Sequence, residues 1–217
     1  MKYHSGWALP DNDTHFGEYF ATSEEAFGRR MYQAPHIKAA LGATRSKRVA
    51  LDIGAHVGFW SFYLAKYFAE VHAFEPVPDS IACFRENVKD RHVYLHETAL
   101  GNKTGFVDME VTTENSGMSF VSDGVNGRTP IAKLDTFGIA DVDLVKIDVE
   151  GYEKFVLEGA RKTLARNKPV IIIEQKPSSS RYSTHQFGAL KYLESMGARV
   201  INQIVDDYIL AWPGKTG

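Results

Sequence analysis

The sequence predicts an α/β domain built on a mostly parallel sheet, and three observations carry that reading. From Val49 onward, short apolar runs alternate with stretches of helical period, the pattern of successive βαβ units. The first run, Val49-Ala50-Leu51-Asp52-Ile53, passes directly into a glycine turn, Gly54-Ala55-His56-Val57-Gly58, and Phe59 then opens a helical pattern. The chain closes with two further runs, Arg199–Val205 and Tyr208–Trp212, whose spacing around Asp206-Asp207 predicts a terminal β-hairpin. A chain of 217 residues is long enough for one such domain with a full core.

Each element follows from local pattern. In residues 1–48, Trp7 to Phe16 is turn-rich and reads as a loop. Ser23-Glu24-Glu25 has the acidic first turn of a helix that continues through Ala26 to Arg30. A second short helix around His36 to Leu41 follows Pro35. Because this segment precedes the first core strand, residues 1–48 are expected to form a helical and loop extension that lids the ligand site. The strand at Val49–Ile53 is followed by a helix over Phe59–Phe68, a second strand at Val71–Phe74, and a helix over about Asp79–Lys89. Strand three is Val93–Leu95, with room to extend to Leu100. Gly105 to Val111 alternates like an antiparallel strand, and a polar run from Thr112 to Pro130 reads as a long irregular loop of functional use. Strand four is Leu144–Val149, with a helix from about Tyr152 to Arg166 whose buried face is Val156, Ala160 and Leu164. Val170–Ile173, four β-branched residues in succession, predicts a central strand covered on both faces. A helix over His185–Met196 ends at Gly197.

The glycine turn and the carboxylate after the second strand select a class of ligand. A strand, a tight turn and a helix start form the usual cradle for a nucleotide-like molecule, and an acidic residue about twenty positions on can accept both hydroxyls of a ribose. Glu75 stands there, followed by Pro76. The dinucleotide fingerprint G-x-G-x-x-G needs a middle glycine so that backbone can approach a pyrophosphate. Here His56 sits at or beside that position, and its β-carbon and imidazole would crowd the phosphates. The turn therefore fits S-adenosylmethionine, which has none, better than NAD. A nicotinamide-dependent oxidoreductase remains the alternative enzyme, and a non-catalytic binding or scaffold protein the alternative outside enzymes. No G-x-x-x-x-G-K-[ST] is present, which argues against a P-loop nucleotidase.

Composition narrows the partners. The formal charge is −2 with both signs interspersed, so no basic stripe marks a nucleic-acid partner. The single cysteine, Cys83, excludes a disulfide framework and a thiolate metal site, and its apolar surroundings predict a core residue. The N-terminus has no apolar leader and no window approaches a membrane span, so the expectation is a cytoplasmic protein without a membrane partner. The pattern carries no signal for an oligomeric state.

A second acidic group lies farther along. In Lys146-Ile147-Asp148-Val149-Glu150-Gly151-Tyr152-Glu153, the two-residue period of a strand puts Asp148 and Glu150 on one face, and Gly151 lets the chain turn into a helix. Glu174 ends the fifth strand. Ligands of open α/β sheets bind beyond the carboxyl ends of the strands, at the switch point, so Asp148 and Glu150 are expected to face the ligand held at Gly54. A carboxylate there can bind an ammonium, favour a sulfonium, or take a proton from a hydroxyl. Glu153 reads as a residue that complements the helix start. No His-x-x-x-His or acidic loop marks a metal site, although Asp148, Glu150 and Glu174 offer oxygens of the kind Mg²⁺ takes. His15, His56 and His185 are further candidates for a base, each without a supporting motif.

With both groups in hand, the chain resembles the FkbM-type family of S-adenosylmethionine-dependent methyltransferases. The matching pieces are Leu51 to Gly58, Phe74-Glu75-Pro76, Leu134-Asp135, Asp143 to Glu153 and Ile173-Glu174. Together they cover roughly residues 49–175, and the Lys-Ile-Asp-Val-Glu-Gly-Tyr-Glu run is their most specific part. The resemblance implies a Rossmann-like, class I methyltransferase sheet of seven mostly parallel strands with an antiparallel last strand. It implies methyl transfer, usually to oxygen, on a sugar, glycan or secondary metabolite. On this reading Asp52, Gly54, Ala55, His56 and Gly58 hold the methionine end of the cofactor, Glu75 and Pro76 the ribose, and Glu97 and Ala99 the adenine. Asp148 faces the methyl donor, Asp148 or Glu150 is the catalytic carboxylate, and Ser116, Ser119 and Glu174 meet the acceptor.

Overall fold

The computed structural model describes residues 1–112, 115–122 and 127–214. Its centre is a seven-stranded sheet. In chain order the strands are β1 (Val49–Ile53), β2 (Glu70–Phe74), β3 (Val93–His96), β4 (Val142–Ile147), β5 (Val170–Glu174), β6 (Arg199–Ile204) and β7 (Asp207–Ala211). Across the sheet they run β3-β2-β1-β4-β5-β7-β6. The first five are parallel, β7 enters antiparallel beside β5, and β6 pairs antiparallel with β7. This is the doubly wound sheet with an antiparallel terminal hairpin that the sequence predicts. The order reverses between β1 and β4, which opens the ligand crevice at their carboxyl ends.

Both faces of the sheet are covered, and the side-chain alternation of β5 records it. Ile172 packs in a cluster with Trp7, Phe59, Tyr63 and Leu144, whereas Ile171 and Ile173 pack on the other face with Leu51, Val145, Val156 and Leu193. The helices that cover the sheet are α1 (His15–Phe20), α2 (Ala34–Ala43), α3 (Phe59–Leu64), α4 (Pro78–Asn87), α5 (Glu153–Gly159), α6 (Arg161–Asn167) and α7 (Gly188–Ser195). Among the described residues no helix is long and apolar enough to cross a membrane. Cys83 is buried, as its neighbours predict.

Several local expectations are corrected. Residues 23–30 form a hairpin, Glu25–Ala26 against Arg29–Arg30, and not a helix. Phe27 and Gly28 both take left-handed φ, 53° and 77°, the pattern of a two-residue hairpin turn. The helix of this region lies earlier, at His15–Phe20, starting at the end of the Trp7–Phe16 stretch that reads as a loop, and Trp7–Leu9 within that stretch is a buried strand. Trp7 meets Phe59 edge to face at 4.9 Å, so tertiary packing overrides the turn-rich composition. The Thr112–Pro130 run, part of which lies outside the described residues, is also less irregular than its composition suggests. Phe120–Ser122 and Thr129–Ala132 join Gly105–Glu110 and Ala99–Leu100 in a small four-stranded sheet. The helix expected over Tyr152–Arg166 is two helices, broken at Ala160. Asp135 drives the break by capping α6: it accepts the Lys162 and Thr163 N–H groups at 2.9 and 2.8 Å. The Leu134-Asp135 piece of the family pattern is thus structural.

Gly58 serves packing as well. It sits at φ 91°, and a Cβ there would lie 2.7 Å from Val88 Cγ2 and 2.9 Å from Phe84 Cδ2. Gly58→Ala is expected to cost about 1–3 kcal/mol in urea unfolding, from left-handed strain and overpacking together. An unchanged midpoint would remove both arguments.

Candidate functional site

A cavity of about 250 Å³ opens beyond the carboxyl ends of β1, β2, β4 and β5. Its floor is the glycine turn. Gly54 and Ala55 donate their N–H groups to the Phe74 carbonyl at 3.1 Å, so the turn folds back over the end of β2. At Gly54, with φ 75°, an added Cβ would stand 1.8 Å from the Asp148 carbonyl oxygen. Only glycine lets β1 and β4 approach this closely at the switch point.

Glu75 lies at the end of β2, 5% exposed, and lines the cavity. Its Oε2 accepts the His56 N–H and its Oε1 the Val77 N–H, both at 2.8 Å. Each oxygen keeps lone-pair capacity for a further donor. Burial pushes its pKa up to about 7, against the pull of those two N–H groups. Ala55, His56, Pro76, Ala99, Ser116 and Ser119 also line the cavity.

Three residues assigned to the cofactor stand elsewhere. Asp52 is fully buried beneath the turn, where Oδ2 accepts the Ser61 hydroxyl at 2.6 Å and Oδ1 lies 3.4 Å from Lys146 Nζ. Its place on a strand covered on both faces points the side chain into the core. Gly58 faces α4. Glu97 turns to the surface and pairs with Arg85, leaving Thr98, Ala99 and Leu100 as the wall.

The acidic group assembles at the far wall. Asp148, Glu150 and Glu174 bring carboxylate oxygens within 4.8 Å of one another, and all three line the cavity. The strand period does not place the first two together, because β4 ends at Ile147. Instead Glu150 takes φ 53° and Gly151 φ 103°, and this turn brings Glu150 to the cavity. Glu153 caps the turn by accepting the Gly151 N–H at 2.9 Å, in keeping with its reading as a helix-start residue.

Two lysines answer these carboxylates. Lys146 donates to the Gly54 carbonyl at 2.5 Å and lies 3.9 Å from Asp148. Burial opposes its charge, but Asp52 and Asp148 outweigh burial and raise its pKa. Lys176 lies 2.6 Å from Glu174 and 3.9 Å from Glu150. Burial first, then the neighbouring Asp148, pushes Glu174 up to about 9 and Glu150 up to about 7. Tyr32 completes this wall, its phenol raised well above its ordinary pKa by burial and then by Asp148 and Glu174.

Lys146, Asp13, Phe16, Tyr32 and Lys176 are site residues that the sequence reading assigns no role. Lys146 carried a signal, since it is a charge set between Val145 and Ile147 in the buried part of β4. Asp13, Phe16 and Tyr32 reach the site only through the folding of the N-terminal segment. That segment forms a wall: His15, Phe16 and Tyr32 line the cavity, while Trp7 and Phe20 anchor it to the core. His56 is neutral, its pKa lowered to about 4 by burial. His185 is not part of the wall.

The sequence profile of the methyltransferase FkbM domain matches residues 52–200. Among solved structures, the chain is similar to methyltransferase FkbM from Methylobacillus flagellatus KT, with a TM-score of 0.54 at 19% identity over 89% of this chain and 49% of that one. The chain thus spans about half the length of that protein. It is also similar to a precorrin-6y C5,15-methyltransferase from Geobacter metallireducens GS-15, with a TM-score of 0.53 at 18% identity over 97% and 99% of the two chains. A putative methyltransferase from Streptococcus mutans, solved in complex with SAH, gives a TM-score of 0.50 at 12% identity over 84% and 96%. At such identities the likeness shows the fold, that of class I methyltransferases. No curated protein matches the sequence.

Proposed function

This chain belongs to the FkbM methyltransferase family, and on that premise we propose that it methylates a hydroxyl of a sugar, glycan or secondary metabolite. The observation that carries this reading is the pairing, across one cavity, of Glu75 with the carboxylates Asp148 and Glu150. The methyl donor is S-adenosylmethionine, and the residues present fit it. Glu75 has two partly satisfied oxygens suited to a ribose diol. The turn at Gly54–His56 offers backbone groups and no phosphate cradle, and the opposite wall offers carboxylates for an ammonium and a sulfonium.

When bound, the cofactor supplies a methyl group already activated by its positive sulfur. The protein's work is then to align an acceptor, and near-attack alignment alone can supply about 7–11 kcal/mol. Glu75, Pro76 and Ala99 hold the nucleoside portion, and the glycine turn with Asp148 holds the amino-acid portion. Glu150 takes the proton from the acceptor hydroxyl: its pKa, raised by burial to about 7, matches that task near neutral pH. Glu174 and Ser119 orient the acceptor. The N-terminal wall of Phe16 and Tyr32 closes the cavity as a lid and excludes water. We place the protein in the cytoplasm with a small-molecule or glycan acceptor.

Calorimetric titration with S-adenosylhomocysteine beside NAD⁺, followed by a methyl-transfer screen over hydroxylated sugars and metabolites, tests the reading. Micromolar binding of the first alone supports it, and binding of NAD⁺ overturns it. In the same titration, Glu75→Ala is expected to weaken S-adenosylhomocysteine binding about 10–100-fold, the worth of one or two hydrogen bonds to a charged group. A variant that binds like the parent would take Glu75 out of the site.

A further inference from the structure

Three segments distant in sequence meet over the glycine turn through one chain of hydrogen bonds. Asp13 is buried, and its Oδ1 accepts the Phe16 N–H at 3.2 Å. Its Oδ2 accepts both the N–H of Ser116, at 2.9 Å, and the Ser116 hydroxyl, at 2.6 Å. Ser116 Oγ lies 2.7 Å from His56 Nε2. The Ser116 hydroxyl has a single proton, and it is donated to Asp13 Oδ2. Oγ then turns a lone pair to the imidazole, and the contact requires a proton on Nε2. The ring is thereby fixed as the neutral Nε2–H tautomer, with Nδ1 a bare acceptor.

The same histidine bears on the nucleoside pocket. Its φ of 51° is one that a non-glycine residue keeps only when its surroundings enforce it. Those surroundings are the Ser116 bond and the rings of Phe16 and Phe59, at 5.3 and 5.7 Å. In this conformation the backbone N–H of His56 is the donor on Glu75 Oε2. A chain therefore runs from Asp13 through Ser116 and His56 to the carboxylate assigned to the ribose.

We propose that Asp13 and Ser116 are positioning residues for cofactor binding: acting through the ring of His56, they hold the glycine turn in the conformation that presents Glu75, and they fasten the N-terminal wall over the cavity. The proposal rests on the reading of this cavity as an S-adenosylmethionine site. Asp13 does its part without lining the cavity. Ser116 is the joint, since its N–H and its hydroxyl both end on one carboxylate oxygen.

The test has two readouts on the full chain. The first is the ¹⁵N–¹H correlation spectrum of the imidazoles without ligand, with His56 assigned by its loss in His56→Gln. The parent is expected to show the Nε2–H tautomer at His56, and Ser116→Ala to show a mixture. The second is affinity for S-adenosylhomocysteine, expected to fall about tenfold in Ser116→Ala and to return to within about threefold in Ser116→Thr, which restores the hydroxyl. Should Ser116→Ala fail to fold, Asp13→Asn serves, since its single oxygen cannot accept all three donors, and it is expected to lose affinity similarly. A parent ring protonated at Nδ1, or a Ser116→Ala protein that binds like the parent, overturns the proposal. If the parent itself binds no S-adenosylhomocysteine, the cofactor reading fails instead, and the tautomer still decides whether the Asp13–Ser116–His56 chain exists.

Discussion

Lys146→Met is expected to destabilise the protein by about 3–5 kcal/mol, the largest effect of any single change considered for the fold. Lys146 is 6% exposed and Asp52 is fully buried, with the two groups 3.4 Å apart. Methionine keeps the length of the side chain but removes the charge. The Asp52 carboxylate is then left in the core with no cation beside it, held by the hydroxyl and the backbone N–H of Ser61. The Gly54 carbonyl also loses the donor that ties the glycine turn to β4. For a chain of this size the loss corresponds to a fall in melting temperature of roughly 6–20 °C. The double variant Lys146→Met with Asp52→Leu should recover a large part of it, because a buried pair replaced by apolar groups is often near neutral. The cycle is read by urea unfolding. If the double variant is as unstable as the sum of the singles, the two residues do not act as a pair.

Glu150→Gln is expected to lower kcat by about 10²–10⁴-fold while affinity for S-adenosylhomocysteine stays within about threefold. Glutamine has nearly the same shape and cannot take a proton. The distinction from Asp148 lies in that split, since a residue that binds the cofactor loses affinity when changed. The pH profile gives a second readout. The group must be ionised to act as a base, and its pKa in the folded protein is raised to about 7. For the parent, kcat/KM should therefore rise with pH through about 7 and level off above it. Glu150→Gln should lose that rise along with the rate. A parent profile flat from pH 5 to 9, or a variant that turns over normally, would assign the proton to another acceptor, with Asp148 and Glu174 the next to change.

Much of this was legible in the chain. The order of strands and helices from Val49 to Ile173 follows from period and from β-branched runs, because a sheet covered on both faces demands apolar residues at every position. Glu75 was legible from its distance behind the glycine turn. Asp148 and Glu150 were legible from an acidic pattern at the end of an apolar strand, although their meeting depends on left-handed φ at Glu150 and Gly151 and not on strand period. The hairpin at residues 25–30 was misread because its acidic start imitates a helix, while Phe27 at positive φ gives no signal in composition. Asp52 sits beside the wall residue Ile53, and one step along a strand turns a side chain to the opposite face; Glu97 sits beside the wall residue Thr98, just past the end of β3.

What the sequence determined by itself is the doubly wound sheet, the position of its ligand crevice and the family, since each rests on contacts between near neighbours and on patterns of burial. What only the tertiary structure decided is the composition of the cavity wall. Phe16 and Tyr32 come from the segment before the first core strand, with Asp13 behind the wall, Ser116 from a polar run beyond the third, and Lys146 from the core. Their roles arise from pairings such as Asp13 with Ser116, 103 positions apart, and Lys146 with the Gly54 carbonyl, 92 apart. Local propensity is blind to such pairings because their free energy appears only once the whole chain has brought the partners out of water.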